Sequence, residues 1–406
     1  MSFQQGLSGL NVAAKNLDAI GNNVANASTI GYKSERAEFA DVFANSLSGG
    51  GGVQVGIGAK VAAVRQQFTQ GNIETTSNPL DLAINGAGFF RLSTNGTVSY
   101  SRNGQFSVDR DGYMVASNGA RLTGYPADVN GQVVASTPVD LQLSLANIAP
   151  RSTTTARLAL NLDSRATPPT SAFNMTNPAS YNSSTAMTVY DSQGNSHTLT
   201  TYYVKTAANA WDVYSAADGA MLNGGAATGS LAFGAGGTLA ADMTMNVSIP
   251  LTNGATSPLA IPVTYPASDM TQFGVDFAVS QLQQDGYTTG TLAGFAIGND
   301  GVIVGRYTNG QTRAQGQVVL ANFVNAQGLV ALGNNQWAES SDSGQALVAT
   351  PGAGTLGVLQ SGALEDANVD LTQELVNMIT AQRVYQANAQ TIKTQDQIQQ
   401  TLVNLR

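Results

Sequence analysis

The most restrictive feature of the sequence is its C-terminal segment, where no glycine or proline occurs from Leu371 to Arg406. Asp370 suits the N-cap position, and Gln373 follows at the spacing of a capping box. Apolar residues then recur mostly in steps of three, four or seven. This stripe comprises Leu371, Leu375, Met378, Tyr385, Ala389 and Ile392. The pattern predicts one helix about 50 Å long.

The N-terminal segment predicts a second helix, because its apolar and small residues follow heptad spacing. They are Phe3, Leu7, Leu10, Ala14, Leu17, Gly21 and Val24. A lone helix with one narrow apolar stripe is marginal in water. The simplest arrangement packs the two terminal helices together and leaves their other faces for neighbouring subunits. An ordinary intramolecular helix pair is the alternative that periodicity leaves open.

Between the ends, short strand-like runs alternate with tight turns. Asn-Gly and Asp-Gly pairs supply the positive φ that two-residue hairpins need; they stand at Asn95-Gly96, Asn103-Gly104, Asp111-Gly112 and Asn118-Gly119. Asp300-Gly301 repeats this pattern, and Asp191 to Asn195 separates two further strands. The Gly/Ala/Thr-rich stretch from Ala216 to Asp242 indicates surface loops with little core. We therefore expect a mainly β, α+β fold with helical ends.

Composition narrows the possible functions. The chain has 406 residues, which predicts two or three domains. Only 11% of the residues are charged and the net charge is −8 with 18 basic residues, which argues against nucleic acid as a partner. No apolar run approaches the roughly 20 residues of a membrane span, so no membrane partner is expected. There are no cysteines, and the N-terminus lacks the pattern of a cleaved secretion signal.

The residue types that carry chemistry form no convincing site. The single histidine, His197, has no nucleophile elbow nearby, so we expect a solvated or core-edge imidazole. Gly49 to Gly52, with Gly56 to Lys60 after it, lacks the ending of a phosphate loop and favours a flexible connector. Asp109 to Gly112 matches only part of a calcium loop and favours a turn. We therefore predict no catalytic, cofactor or metal site, and no enzyme activity.

Both ends of the chain nevertheless carry signatures. The N-terminal run from Asn22 to Lys33, continued by Phe39 to Phe43, resembles that of the flagellar rod and hook subunits. Gly362 to Glu365, Asn368 to Leu371 and Glu374 to Ile379 are similar to the C-terminal signature of the same family. Two signatures in the right order are far more specific than either alone.

The interior resembles the hook branch of that family more than the rod branch. Leu80 to Leu92 and Tyr100 to Phe106 are similar to the shared inner β domain. Leu122 to Ala127, Arg151 to Ala156 and Val189 to His197 are more particular to hook proteins. Rod subunits are shorter and lack the large middle domain.

This resemblance implies an architecture. Residues 1–30 with 368–406 would form a terminal helical coiled-coil domain, and 31–71 with 358–367 a connector. Residues 72–146 with 285–357 would form an inner β domain, and 147–284 an outer β domain. The fold class expected is therefore α+β, mainly β: terminal α-helices form the coiled-coil inner domain, and two outer β domains are built by nested insertion.

The resemblance also implies a function, namely a structural subunit of the flagellar hook that polymerises into a curved hollow tube and transmits torque from rod to filament. Its implied partners are copies of itself, the distal rod protein, the hook-filament junction protein, the hook cap protein and the flagellar type III export apparatus. The implied location is the extracellular hook, reached without a cleaved signal peptide. The alternatives are a distal rod subunit and, in another class, a secreted β-rich adhesin or binding module.

Three groups of residues are the candidates for these roles. The assembly residues of the terminal helices are Leu7, Leu10, Leu17, Val24, Leu371, Leu375, Met378, Tyr385 and Ile392. The signature residues are Asn22, Asn23, Asn26, Gly31, Tyr32 and Lys33. For the three asparagines the sequence indicates only turn formation or helix capping. The candidate hinge is Gly49, Gly50, Gly51 and Gly52.

A subunit that must not polymerise early should keep its ends loosely structured until neighbours arrive, because their folding free energy then comes from assembly. We predict that residues 1 to about 30 and 371–406 exchange their backbone amides rapidly in the dilute monomer and slowly in the polymer. Protection of both segments in the monomer, measured by hydrogen exchange, would contradict this.

Overall fold

A computed structural model of the chain describes residues 2–42 and 56–404. Its helices and strands in chain order are α1 Ser2–Ala25, β1 Glu35–Val42, β2 Gly58–Gln66, β3 Ile73–Thr75, β4 Leu82–Asn85, β5 Phe89–Thr94, β6 Thr97–Ser101, β7 Phe106–Val108, β8 Met114–Ala116, β9 Arg121–Pro126, β10 Val139–Asp140, β11 Ala156–Asn161, β12 Ser183–Tyr190, β13 Ser196–Ala207, β14 Ala210–Ala217, β15 Ala220–Met221, β16 Gly229–Ala232, β17 Met243–Ile249, β18 Leu259–Tyr265, β19 Ala278–Gln284, β20 Leu292–Ile297, β21 Val302–Tyr307, β22 Thr312–Val318, β23 Leu320–Asn322, β24 Val330–Gly333, β25 Gln336–Ala338, β26 Leu347–Ala349, β27 Val358–Ser361, β28 Ala363–Glu365 and α2 Leu371–Asn404. Short 3₁₀ turns lie at Pro178–Ser180, Asn223–Gly225 and Ala326–Gly328.

The chain divides into two compact units. The first comprises residues 1–145, 294–306 and 312–406, and the second comprises 146–293 and 307–311. Strands dominate, and α1 packs against α2 within the first unit, which confirms the mainly β class with paired helical ends. None of the helices in the described part of the chain is long and apolar enough to cross a membrane.

The first unit is built around a large sheet in which β20, β21, β22, β9, β5, β6, β25 and β24 are successive neighbours. Its core contains fully buried aliphatic and aromatic side chains, among them Phe90, Leu122 and Ile303. Three smaller antiparallel pairs complete it: β1 with β2, β4 with β27, and β3 with β28. The segment predicted as a connector therefore contains a hairpin, and the residues after Gly58 form a strand rather than a phosphate-binding helix.

Most of the glycine turns behave as predicted. Asn95 and Gly96 adopt φ of 51° and 85° between the paired strands β5 and β6. Gly112 and Gly119 also have positive φ, in the turns from β7 to β8 and from β8 to β9. The prediction of a hairpin at Asn103-Gly104 is wrong. Gly104 is needed there for another reason: a Cβ at that position would lie 1.6 Å from the Leu82 carbonyl oxygen.

The second unit is a sandwich of two sheets. One has the order β17-β18-β11-β19, and the other joins β12, β13, β14 and β15, with β16 on β14. Side chains from both sheets share one buried core, which includes Leu160, Tyr203, Trp211 and Ile261. The hairpin predicted around Asp191 to Asn195 is the antiparallel pair β12–β13.

The expectation of little core between Ala216 and Asp242 is wrong. Leu222, Leu231, Phe233 and Leu239 from this stretch are all buried in the sandwich. The prediction failed because it rested on the high content of glycine, alanine and threonine. These four large apolar residues stand between them and point into the core. Burial of a few large side chains is enough to order such a segment.

His197 lies at the edge of this core, on β13. Its Nδ1 is 2.7 Å from Asp218 Oδ2 and its Nε2 is 3.4 Å from Asp191 Oδ2. Burial opposes the charged imidazole, but the bonds to the two carboxylates outweigh it and raise the pKa of His197 above 6.5. The pKa values of Asp191 and Asp218 are lowered, so both carboxylates stay ionised near neutral pH.

The pKa of His197 is higher in the folded state than in the unfolded state. The protonated imidazole therefore stabilises the folded state fully below about pH 6.5, and this contribution is lost as the pH rises through the folded-state pKa. The free energy of unfolding of the second unit should therefore fall as the pH rises from about 6.5 through the folded-state pKa of His197. The chain has two tryptophans, so Trp337→Phe leaves Trp211 to report this unit by fluorescence in urea. His197→Gln in that background should flatten the pH dependence, and an unchanged slope would contradict the assignment.

Candidate assembly site

The terminal helices approach each other closely through small residues. Gly6 and Ala13 of α1 and Ala381 of α2 are buried. A Cβ at Gly9 would lie 2.7 Å from Asn388 Oδ1, and one at Gly6 would lie 3.1 Å from Ile392 Cγ1. A side chain at either position would require Asn388 or Ile392 to move. Gly6, Gly9 and Ala13 do not belong to the stripe that the heptad spacing of α1 indicates, so that spacing did not identify this part of the seam.

Four of the nine predicted assembly residues are exposed in the subunit. Leu7 is 43% exposed and Leu375 is 49% exposed, and Leu371 and Tyr385 are exposed as well. Leu10, Leu17, Val24, Met378 and Ile392 are half-buried. Phe3, Val376, Ile379 and Val384 are further exposed apolar side chains on the two helices. Ile392, a member of the predicted set, lies against the other helix at Gly6.

Asp370 caps α2 as predicted. Its Oδ1 accepts hydrogen bonds from the backbone N–H of Thr372 and of Gln373, at 2.9 and 3.1 Å. The reciprocal half of the capping box is not formed, because the Gln373 side chain donates to Asn377 Oδ1 instead. One N-cap bond of this kind stabilises a helix by about 1 kcal/mol.

The signature asparagines connect α1 to β1. Asn23 is buried; its Oδ1 accepts from the Glu35 N–H at 2.7 Å and its Nδ2 donates to the Glu35 carbonyl at 2.8 Å. Tyr32 Oη also donates to Asn23 Oδ1, at 3.1 Å. Asn22 donates to the Glu35 carboxylate, and Asn26 donates back to Asn22. These side chains fix the angle between the helix and the strand.

Tyr32 remains protonated in this environment. Burial raises the pKa of Tyr32 far above its usual value, and the nearby carboxylates of Glu35 and Glu374 raise it further. Its hydroxyl is therefore a permanent donor to Asn23.

The centre of the junction is a buried ion network. Lys33 Nζ donates to Glu365 Oε1 at 2.7 Å, and Arg102 Nη1 donates to Glu365 Oε2 at 2.9 Å. The Lys33 and Glu365 side chains have no solvent exposure. Burial lowers the pKa values of Lys33 and Arg102, while the Glu365 carboxylate opposes that change.

Backbone groups complete this network. The Gly71 N–H donates to Glu365 Oε1, Lys33 donates to the Thr69 carbonyl, and Arg102 donates to the carbonyls of Ile84 and Gly86. These carbonyls matter because two cations share one carboxylate. The dipoles of the carbonyls compensate the second positive charge.

Gly31 and Asn368 join the same junction. Gly31 has φ of 71°, and a Cβ there would lie 2.5 Å from the Asn103 backbone nitrogen. Its N–H donates to the Glu365 carbonyl. Asn368 Oδ1 accepts from the Ser34 N–H and its Nδ2 donates to the Gln67 carbonyl, at 2.7 and 2.6 Å. The two family signatures therefore meet in space.

Sequence reasoning singled out Gly31, Tyr32 and Lys33 but missed Arg102 as their partner, and it gave no role to Glu365 or Asn368. Arg102, Glu365 and Asn368 all stand in segments that resemble the family, and that position was the signal that could have identified them. The candidate hinge Gly49 to Gly52 lies outside the described residues. Within residues 2–42 and 56–404, no cluster of histidine and carboxylate side chains could hold a metal ion.

A groove of about 670 Å³ lies between α1, α2 and β1. Its lining combines apolar side chains, such as Ile20 and Phe39, with asparagine and other polar side chains and with the charged side chains of Glu35, Arg36 and Glu374. Outward apolar faces, an adjoining groove and a rigid junction are features of a subunit that associates with other chains through its ends.

Comparisons with known proteins identify that class. The family models that match are "Flagella basal body rod protein" at residues 3–33, "Flagellar hook protein FlgE/F/G D1 domain" at 83–157, "Flagellar basal body protein FlaE D2 domain" at 161–287 and "Flagellar basal body rod FlgEFG protein C-terminal" at 360–405. Together they define a flagellar axial subunit of the rod and hook class.

Full-length relatives specify the family. The chain is 46% identical over 412 residues to the flagellar hook protein FlgE of Salmonella typhimurium, with 100% of both chains covered. It is 34% identical to that of Borreliella burgdorferi, covering 100% of this chain and 99% of the relative. The chain belongs to the flagellar hook protein family, so it is a structural subunit of the hook of the bacterial flagellum.

One solved structure supports the fold. The crystal structure of Helicobacter pylori flagellar hook protein FlgE2 matches with a TM-score of 0.50 at 14% identity. The match covers 72% of this chain and 100% of that one.

Removing the shared carboxylate tests the junction. Glu365→Gln should lower the free energy of unfolding of the first unit by about 3–5 kcal/mol, because it leaves two buried cations without a counterion. In a Trp211→Phe background, Trp337 reports this unit in urea.

The matched control is Glu38→Gln, which breaks the exposed Glu38–Arg65 pair. That variant should lose no more than about 1 kcal/mol. Equal losses in the two variants would show that the buried network has no special role.

Proposed function

We propose that this chain polymerises with copies of itself through the outward faces of α1 and α2, and that the resulting curved hollow tube acts as a universal joint between rod and filament. The observation that carries the proposal is the distribution of side chains on the helices. Small residues form the seam inside the subunit, whereas Leu7, Leu371 and Leu375 point to solvent.

Assembly gives these side chains the burial that the single subunit does not. Fully burying one leucine or valine side chain contributes about 1.5–3 kcal/mol. The exposed apolar residues recur along both helices, so neighbours packed side by side would cover them continuously, as in coiled-coil packing. The low charge content leaves few ion pairs for salt to screen at such contacts.

We assign four parts to this design. Residues 1–30 with 368–406 are the assembly helices, 31–71 with 358–367 the connector, 72–146 with 285–357 the inner β domain, and 147–284 the outer β domain. The buried ion network supports a stiff connection between helices and inner domain. The candidate for flexibility is then Gly49 to Gly52 together with the passages of the chain near 146–152 and 284–290.

Family membership supports further partners for the proposal. These are the distal rod protein, the hook-filament junction protein, the hook cap protein during assembly, and the flagellar type III export apparatus. Export without a cleaved signal peptide follows from the same proposal. The intact mass of exported subunits, compared with that of the cytoplasmic protein, tests this step.

Negative-stain electron microscopy under polymerising conditions tests self-assembly. The full chain should form curved tubes, and a chain lacking residues 371–406 should form none. Leu7→Asp and Leu375→Asp should also block tubes while leaving monomer stability nearly unchanged, because these side chains are exposed in the subunit. A matched control is Val129→Asp, an exposed apolar position away from the helices, which should leave tube formation intact.

The images also separate the alternatives. Straight rigid tubes would favour a distal rod subunit, and monomers in all samples would favour the secreted β-rich binding module. Replacing Gly49 to Gly52 with a rigid insertion should straighten the tube. Unchanged curvature would remove that segment as the hinge.

A further inference from the structure

The groove between α1, α2 and β1 contains an unsatisfied charge. Glu374 projects from the first turn of α2 into it, and Glu374 Oε2 is buried without a hydrogen-bond partner. The same groove is also lined by the carboxylate of Glu35, the guanidinium of Arg36 and the apolar side chains of Ile20 and Phe39. A buried carboxylate oxygen without a donor is costly, and a cation with directed N–H groups is its best partner.

No lysine or arginine in the described part of the chain forms an ion pair with Glu374. Arg36 borders the same groove, yet among the described residues it makes no ion pair and no side-chain hydrogen bond. Tyr32 lies near enough for the Glu374 charge to raise its pKa, but its hydroxyl donates to Asn23. Within residues 2–42 and 56–404, Glu374 Oε2 is therefore left available to a cation from another chain.

The face of α2 opposite Glu374 carries an exposed cation, Arg383. Arg383 is nine residues after Glu374, which at about 100° per residue places it about 180° around the helix axis. Arg383 is exposed, and it has no side-chain partner within the described part of the chain. Val376 and Ile379, 53% and 51% exposed, lie on the same face at spacings of seven and four residues.

We propose that the groove of one subunit receives the Val376–Ile379–Arg383 face of α2 from a second copy, with Arg383 of that copy bound to Glu374. The occupant offers aliphatic side chains to the apolar residues of the groove, such as Ile20 and Phe39, and a guanidinium to the Glu374 carboxylate. Because donor and acceptor lie on opposite faces of one helix, the contact is heterologous and repeats from copy to copy instead of closing into a dimer. The inference rests on the proposed self-assembly and specifies one of its contacts.

A charge exchange between copies tests this contact. Glu374→Arg and Arg383→Glu should each raise the critical concentration for polymerisation, measured by pelleting, by about 30-fold or more. An equimolar mixture of the two variants should polymerise near the wild-type concentration, because each groove then meets a face of opposite charge. The double variant should polymerise alone for the same reason.

The control is Lys393→Glu, which changes another exposed cation of α2 that lies about 80° away from Arg383 around the axis. It should leave the critical concentration within about threefold of wild type and should not restore polymerisation when mixed with Glu374→Arg. Near-UV circular dichroism of each monomer verifies that the variants fold.

Two results would overturn the inference alone. One is polymerisation of both single variants at the critical concentration of the wild type. The other is failure of the mixture when the double variant polymerises, which would show that Glu374 pairs within its own subunit. Absence of polymer from the wild-type chain would instead overturn the proposed function, and this contact with it.

Discussion

The shared carboxylate of Glu365 is the interaction on which the rest of the first unit depends. It binds a lysine from the N-terminal signature and an arginine that directly follows β6 of the large sheet, and Glu365 itself belongs to the C-terminal signature. Fixing segments that are 332 residues apart is entropically costly, so a strong, desolvated pair is an effective way to hold them. Because Asn23, Gly31 and Asn368 hydrogen-bond around the same point, the directions in which α1 and α2 leave the sheet are determined there.

With this junction in place, one face of each terminal helix pairs with the other helix, and other faces carry exposed apolar side chains. Glycine and alanine bring α1 and α2 close together, so a narrow seam is enough to pair them within the subunit. The larger aliphatic side chains are then free to point outward. In the single subunit this arrangement leaves apolar surface in water, and in the proposed polymer the same surface is the contact. A chain with few charges can use such surfaces repeatedly along a helical assembly without strong electrostatic repulsion between copies.

The second unit meets a different requirement. Its two sheets enclose one core, and strands far apart in sequence, such as β11 and β19, pair at its edge. The chain enters this sandwich after the first unit is half complete and returns to finish the first unit afterwards. Such nesting ties the ends of the inserted domain together, which reduces the conformational freedom of the unfolded insert. The imidazole between Asp191 and Asp218 strengthens one end of the β12–β13 hairpin.

Local patterns in the sequence determined much of this protein. Periodicity and capping residues located both helices, Asn-Gly and Asp-Gly pairs located most hairpins, and the two signatures identified the family. These signals act over a few residues, so they can be read without the fold. Tertiary structure alone decided which helix face is internal, because the seam depends on how closely two distant segments approach at Gly6 and Gly9. It likewise decided the partners of Lys33, the close contact of Gly104 and the burial of Leu231, since pairing and burial over long separations depend on the path of the whole chain.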